Sequence, residues 1–394
     1  MRHHLILPAA FVLLAAPAHA DEASFWRLFV ADHAQPTVTA IDLATGDTAG
    51  SFTLAAPATL YTTPSNAAVF AVQGEADMVA AIASGIALED HGDHGDLTVA
   101  APRLLEAEVT GDKPVHFVEH DGSIALFFDG EGTARIVRES DWLTGTLAPR
   151  DVPTAAPHHG VAAPFGEFVL ASRPNADDPK ALPVGIDVIG ADGQPVGDLH
   201  ACPDLHGEAS SADTLAIACA AGLLLATPGA SGPDVTLLPY AGLPEGKSTA
   251  LLGGVGLQYW LGNFGADKLV LVDPSATAPF RLVDLQSRRV HFAIDPVAVK
   301  YAYVFTEDGD LHRLNVVSGE IDKTLSVTEP YSMDGEWSLP RPHIAVAGAE
   351  IAVTDPLKGL VHIVDAASFT LARDIPVAGA PYNIVAVGGS GESH

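Results

Sequence analysis

The chain has 394 residues, and 49 Asp and Glu against 20 Lys and Arg leave a formal net charge of −29. That balance excludes a nucleic-acid surface, which needs clustered Lys and Arg, and argues against docking on anionic lipid; it favours cations or basic surfaces as partners. With 48% hydrophobic and only 18% charged residues the chain can build a large core, and 37 Gly with 29 Pro point to many short strands joined by turns.

The first residues read as an address. Met1-Arg2-His3-His4 is a short basic start. Leu5 to Ala18 is an apolar run of about 14 residues, too short to span a bilayer. Ala18-His19-Ala20 is a small-x-small cleavage site ahead of Asp21 and Glu22. The pattern predicts a cleavable secretory signal peptide over 1–20 and a single mature domain over 21–394. No later stretch reaches about 18 apolar residues free of charges and turn signals, so no membrane anchor is expected. A short alanine-rich leader is bacterial in style, and the expected compartment is the periplasm.

Beyond the leader, helical periodicity is nearly absent. One unit recurs instead: an apolar strand, an Asp/Gly turn, and a second strand ending in Val-Asp or a similar pair. It runs over Leu28–His33 and Thr37–Asp42, again over Tyr259–Gly265 and Lys268–Asp273, and again over Ile351–Pro356 and Leu360–Asp365. Weaker copies are Ile124–Asp129 with Ala134–Val137, and Tyr301–Phe305 with Leu311–Asn315. A period of about 40–50 residues with several strands per unit predicts an all-β fold, a β-propeller. The units start near Ser24, Thr59, Lys113, Pro157, His200, Glu245, Val290 and Ser338. That makes eight blades, or seven if two weak units merge. The first unit lacks an inner strand, and the run Tyr382–Val387 near the C-terminus is expected to supply it and close the ring. A His/Asp-rich insert over 84–101, with Glu89-Asp90-His91-Gly92-Asp93-His94-Gly95-Asp96 at its centre, interrupts the second unit. Such a run is expected not to pack and to bind metal loosely through His91 and His94.

The two cysteines, Cys202 and Cys219, are most simply a disulfide in an oxidising compartment. The bridge would close a loop of roughly 17 residues and stabilise by about 3 kcal/mol. The rival reading makes Cys202 a thiolate ligand beside His206 in Cys202-Pro203-Asp204-Leu205-His206.

Histidine is plentiful, with 17 in the chain. Five stand at the expected start of an inner strand: His116, His159, His206, His291 and His343. Equivalent positions in different blades should ring one mouth of the central channel. A single such imidazole reads as a turn cap; five at one mouth of an acidic protein read as a transition-metal site, for zinc, copper or nickel. His116, His159 and His206 come from consecutive units and should share one arc. His343 or His291 could complete a four-ligand site or build a second one. His120, His33 and His158 are lesser candidates. His200 reads as a turn residue, and His312 and His362 as structural.

Signal peptide, eight-unit propeller, histidine ring and His-Gly-Asp-His-Gly-Asp insert together resemble the AztD family of periplasmic zinc metallochaperones, over essentially the whole mature chain. The resemblance implies zinc as the metal. It implies as partner the periplasmic solute-binding protein of a zinc ABC importer, to which zinc is passed directly. It carries the ligand role to the channel histidines and to His91 and His94. The chain is then a monomeric metal-binding protein and not an enzyme. The rival is a metal-dependent propeller hydrolase of the lactonase kind or a quinone-linked dehydrogenase subunit. No Ser-His-Asp spacing, nucleotide-binding Gly loop or Cys-x-x-Cys-His motif supports it. A propeller serving only as an interaction scaffold would leave the histidine ring without a reason.

Overall fold

The computed structural model describes residues 22–90, 95–336 and 338–392. The leader expected over 1–20 and the candidate ligands His91 and His94 lie outside the described residues.

Eight sheets radiate as the blades of a propeller. Blades three to eight each contain four antiparallel strands in chain order, from the axis outward. Their innermost strands are Pro114–His120, Ala162–Phe165, Glu208–Ser211, Leu251–Leu252, Arg289–Ile294 and Ile344–Ala347. In the second blade the outer position is split between Arg103–Leu104 and Val109–Thr110, both paired with Met78–Ala83. The first blade borrows its innermost strand, as expected. Pro381–Glu392 lies beside Glu22–Asp32, with Val30 opposite Ile384 and Phe29 opposite Val385. Eight blades, not seven, close the ring.

Position in a blade explains the sequence of each strand. Blades stack face to face, so middle strands are covered on both sides and read as continuous apolar runs. Ala68–Gln73 is buried along its whole length. Outermost strands keep one face in water and alternate, as Glu320–Ser326 does. The core therefore lies between blades: Phe70, Leu126, Phe128 and Trp142 pack between blades two and three. Trp142 belongs to the short helix Glu139–Thr144, which strand periodicity gave no reason to expect. Its indole donates to the Ala107 carbonyl at 2.9 Å.

The insert differs from expectation. Ile86–Asp90 and Gly95–Val99 form an antiparallel hairpin, paired from Ile86–Val99 to Asp90–Gly95. The cause is the apolar residues flanking the acidic centre: Ile86 and Leu97 are buried in one cluster with Val387. Arg27, 2% exposed, braces the base. Its guanidinium donates to Asp42 at 2.6 Å and to the carbonyls of Ser84 and Ala100 on either side of the hairpin.

Cys202 and Cys219 are joined in a disulfide, with both residues fully buried. It links the end of the fourth blade to the second strand of the fifth. The thiolate-ligand alternative is thereby excluded.

Candidate metal centre

Strand starts on three consecutive blades bring His116, His159 and His206 together. One ligand nitrogen from each lies within 4.8 Å of the others. The ring centroids are 5.1, 5.8 and 5.2 Å apart, pair by pair. Local backbone chemistry sets each ring. Gly160 follows His159, and a Cβ there would come within 2.4 Å of His158 and of the Ser172 hydroxyl. The small residue lets His158 turn inward, where it bonds the Ala156 carbonyl and Ser172, while His159 takes the opposite face. Gly207 holds φ at +90° against the Thr249 carbonyl, which lets the His206 ring reach the sixth blade.

Each ring is oriented through Nδ1. His159 Nδ1 meets Asp129 Oδ2 at 2.8 Å, His206 Nδ1 meets the Thr249 carbonyl at 2.8 Å, and His116 Nδ1 lies 3.4 Å from Glu208 Oε1. Carbonyl and carboxylate oxygens only accept, so neutral His159 and His206 must donate from Nδ1. Their Nε2 atoms then carry bare lone pairs. Yet these two Nε2 atoms stand 3.2 Å apart. Two lone pairs at that distance repel unless a cation lies between them. Two nitrogens bound to one tetrahedral zinc at 2.0–2.1 Å would be about 3.3–3.4 Å apart. The pocket has the spacing of a ligand set.

The surrounding charge points the same way. The side chains of Asp129 and Glu208 are only 5% and 10% exposed. Asp129 Oδ1 and Glu208 Oε2 are buried and make no hydrogen bond within the chain. Buried anionic oxygens without donors need a positive partner. Burial opposes charging His116, but Glu208 beside it, helped by Asp129, raises its pKa above the ordinary histidine value. His206 is shifted down, first by burial and further by its two histidine neighbours. Glu208 and Asp129 escaped the sequence reading. Glu208 had a local signal, because it lies two residues after His206 and strand periodicity puts i and i+2 on one face.

No protein-family profile matches the chain. The zinc chaperone AztD of Citrobacter koseri is 51% identical over 384 residues, which cover 97% of this chain and 91% of that protein. This chain belongs to the AztD family. A crystal structure of Citrobacter koseri AztD matches with a TM-score of 0.93 at 51% identity, over 94% of this chain and all of that one. The apo form of the same protein matches with a TM-score of 0.90 at 50% identity, over 93% of this chain and 99% of that one. The dihydro-heme d1 dehydrogenase NirN, at 13% identity and a TM-score of 0.61 over 96% of this chain and 77% of that one, shares the fold alone.

The remaining histidines of this AztD-family chain are placed differently. His291 and His343 stack on each other, centroids 4.2 Å apart, and are not in the group formed by His116, His159 and His206. The Ile344 N–H donates to His291 Nδ1 at 3.1 Å, and the Asn383 amide donates to His343 Nδ1 at 3.2 Å. Burial holds His343 down to about 4 and His291 well below its ordinary value, with His343 and Arg289 adding to the latter. The structure thus brings neither into the group formed by His116, His159 and His206. His312 and His362 are structural, as expected. His312 bonds Thr306 and Thr324, which occupies both its nitrogens beside Asp308 and Asp310. His362 bridges Asp355 and Asp374.

Proposed function

We propose that this protein is a periplasmic zinc chaperone. It holds zinc on His116, His159 and His206, with the buried Glu208 carboxylate beside His116, and passes it directly to the solute-binding protein of a zinc ABC importer. The observation that carries the zinc site is the pair of Nε2 atoms at 3.2 Å, each freed for a metal by an Nδ1 acceptor. Three imidazoles with an open fourth position are a donor set that suits zinc. The 51% identity to a protein named zinc chaperone AztD supports zinc as cargo.

Delivery requires a site that can open. The His/Asp-rich run of the insert lies in sequence between the strands Ile86–Asp90 and Gly95–Val99, and His91 and His94 would offer temporary ligands during loading or handover. The chain acts as a monomer and needs no catalytic base. Zinc titration against a competing chelator tests the site: the wild-type chain should bind zinc tightly, and His159→Ala and His206→Ala should each weaken it by orders of magnitude. Tight binding that survives both changes rejects the ligand set. For delivery, the zinc-loaded protein is mixed with metal-free partner and a strong chelator. Zinc that reaches the chelator first rejects direct transfer.

A further inference from the structure

A second concave site lies on the face of the ring away from the three histidines. Strand residues advance about 3.4 Å each, so His120 stands roughly 13 Å along the innermost strand from His116. There the turns between first and second strands of blades three, four and five enclose a cavity of about 690 Å³. Four carboxylates line it, from Glu119, Asp121, Glu167 and Asp213, and no Lys or Arg is among the described lining residues. Burial, with Glu139 and Asp121 pushing the same way, lifts Glu119 above the usual carboxylate range despite the Gly122 N–H that donates to it at 2.7 Å.

The walls between the carboxylates are largely apolar and include the His120, Phe165 and Phe168 rings. The His120 ring lies flat on Phe165, with centroids 5.1 Å apart and planes at 12°. Phe168 packs against Gly232, where a Cβ would come within 3.0 Å of the ring. Two buried polar atoms in the lining, His120 Nδ1 and Ser210 Oγ, make no hydrogen bond within the chain.

The chemistry narrows the ligand. An anion is repelled by four carboxylates. A neutral apolar molecule would cover the half-buried Glu119 without compensation and leave the exposed Asp121, Glu167 and Asp213 at the rim unused. A directly ligated metal needs converging donors, and no residue of this cavity belongs to either group of closely spaced ligand atoms among the described residues. A cation with its charges spread along an apolar stem fits each feature. Its ammonium groups meet separate carboxylates, and its methylenes lie along the half-buried His120 and Phe168 rings. We infer that this cavity binds an aliphatic polyamine, independently of the histidine site.

Isothermal titration of the full chain with spermidine tests this. Saturable binding of one molecule per chain is expected, weaker at higher salt. The exposed-turn double variant Glu167→Gln/Asp213→Asn should weaken it by about tenfold or more. Asp47→Asn/Glu320→Gln removes the same charge from surface sites elsewhere and should change it by less than about twofold. His159→Ala should leave it intact, which separates this site from the zinc reading. Equal weakening by both double variants would mean diffuse attraction to the net charge and would overturn the site, as would no saturation at millimolar spermidine. On the unaltered protein, spermidine should move the His120 ring resonances in NMR spectra and spare those of His116. The reverse pattern also overturns it.

Discussion

Asp129 is the residue whose loss most directly tests how the metal centre is organised. It accepts from His159 Nδ1 at 2.8 Å and so keeps the Nε2 lone pair facing His206. Asp129→Asn keeps the shape but can present an amide N–H to the ring. His159 then becomes the acceptor at Nδ1, its proton moves to Nε2, and the ligand is lost unless the amide turns over. Loss of such a partner weakens metal affinity by about 10–100-fold. At free zinc near 1,000 times the wild-type Kd, binding stabilises the native chain by about 4.1 kcal/mol. A hundredfold weaker site at the same zinc retains about 1.4 kcal/mol.

Two measurements read this effect: zinc affinity by chelator competition, and the zinc-induced rise in melting temperature. His159→Ala should lose more than Asp129→Asn, because it removes a ligand outright. The metal-free Asp129→Asn protein should melt close to wild type. Lys113 Nζ, 3.9 Å from Asp129 Oδ2, loses only a distant partner and is itself mostly in water. A change of less than about threefold in zinc affinity for Asp129→Asn, with His159→Ala still severe, would refute the tautomer argument.

Truncation before Pro381 should destabilise the whole ring, since the first blade loses its innermost strand and the buried Ile384 and Val387. A truncated chain that melts like the full one would contradict closure by this strand. Cys202→Ala/Cys219→Ala should cost about 3 kcal/mol in urea unfolding. Equal midpoints would show that the bridge adds nothing. His362 and Asp355 predict a pH signature. Burial opposes charge on His362, but Asp355 and Asp374 outweigh it and raise its pKa, while His362 and Tyr331 outweigh burial to lower that of Asp355. The stability gained through His362 is therefore complete below its unfolded pKa of about 6.5 and is lost as pH rises through the raised folded value. The part from Asp355 holds above about pH 3.9 and is lost as pH falls through its depressed folded value. The unfolding free energy of wild type minus that of His362→Gln should decline from pH 6 toward pH 9; a flat difference would count against the ion pairs.

The ring was legible because each blade repeats one local grammar, and a repeat announces itself without any tertiary contact. Even the swapped closure could be read, from a first unit short of one strand and a spare run near the end. The hairpin of Ile86–Asp90 and Gly95–Val99 was missed because the acidic His/Asp run dominates the local composition, while the few apolar residues that fold it meet their cover, Val387, from the far end of the chain. The carboxylates of the metal centre were missed for a related reason. Asp129 and Glu208 are ordinary in sequence and become notable only where they meet a histidine of another blade.

The histidines carry this argument furthest. Five occupy equivalent strand starts, and sequence alone treats them as one set. Folding divides them into three on blades three to five and two on blades seven and eight. Neighbouring position does not decide which can bind metal, because His291 and His343 are as close to each other as any pair in the triad. The difference lies in what faces Nδ1. In the triad it is an acceptor: Glu208, Asp129 or the Thr249 carbonyl. In the stacked pair it is a donor: the Ile344 N–H or the Asn383 amide, whose oxygen is held by the Leu60 N–H. An acceptor at Nδ1 leaves Nε2 bare and ready to ligate; a donor at Nδ1 leaves the proton on Nε2 and closes it. One repeated residue is thus left free to ligate, or closed as a packing group, by the polarity of a single partner on another strand.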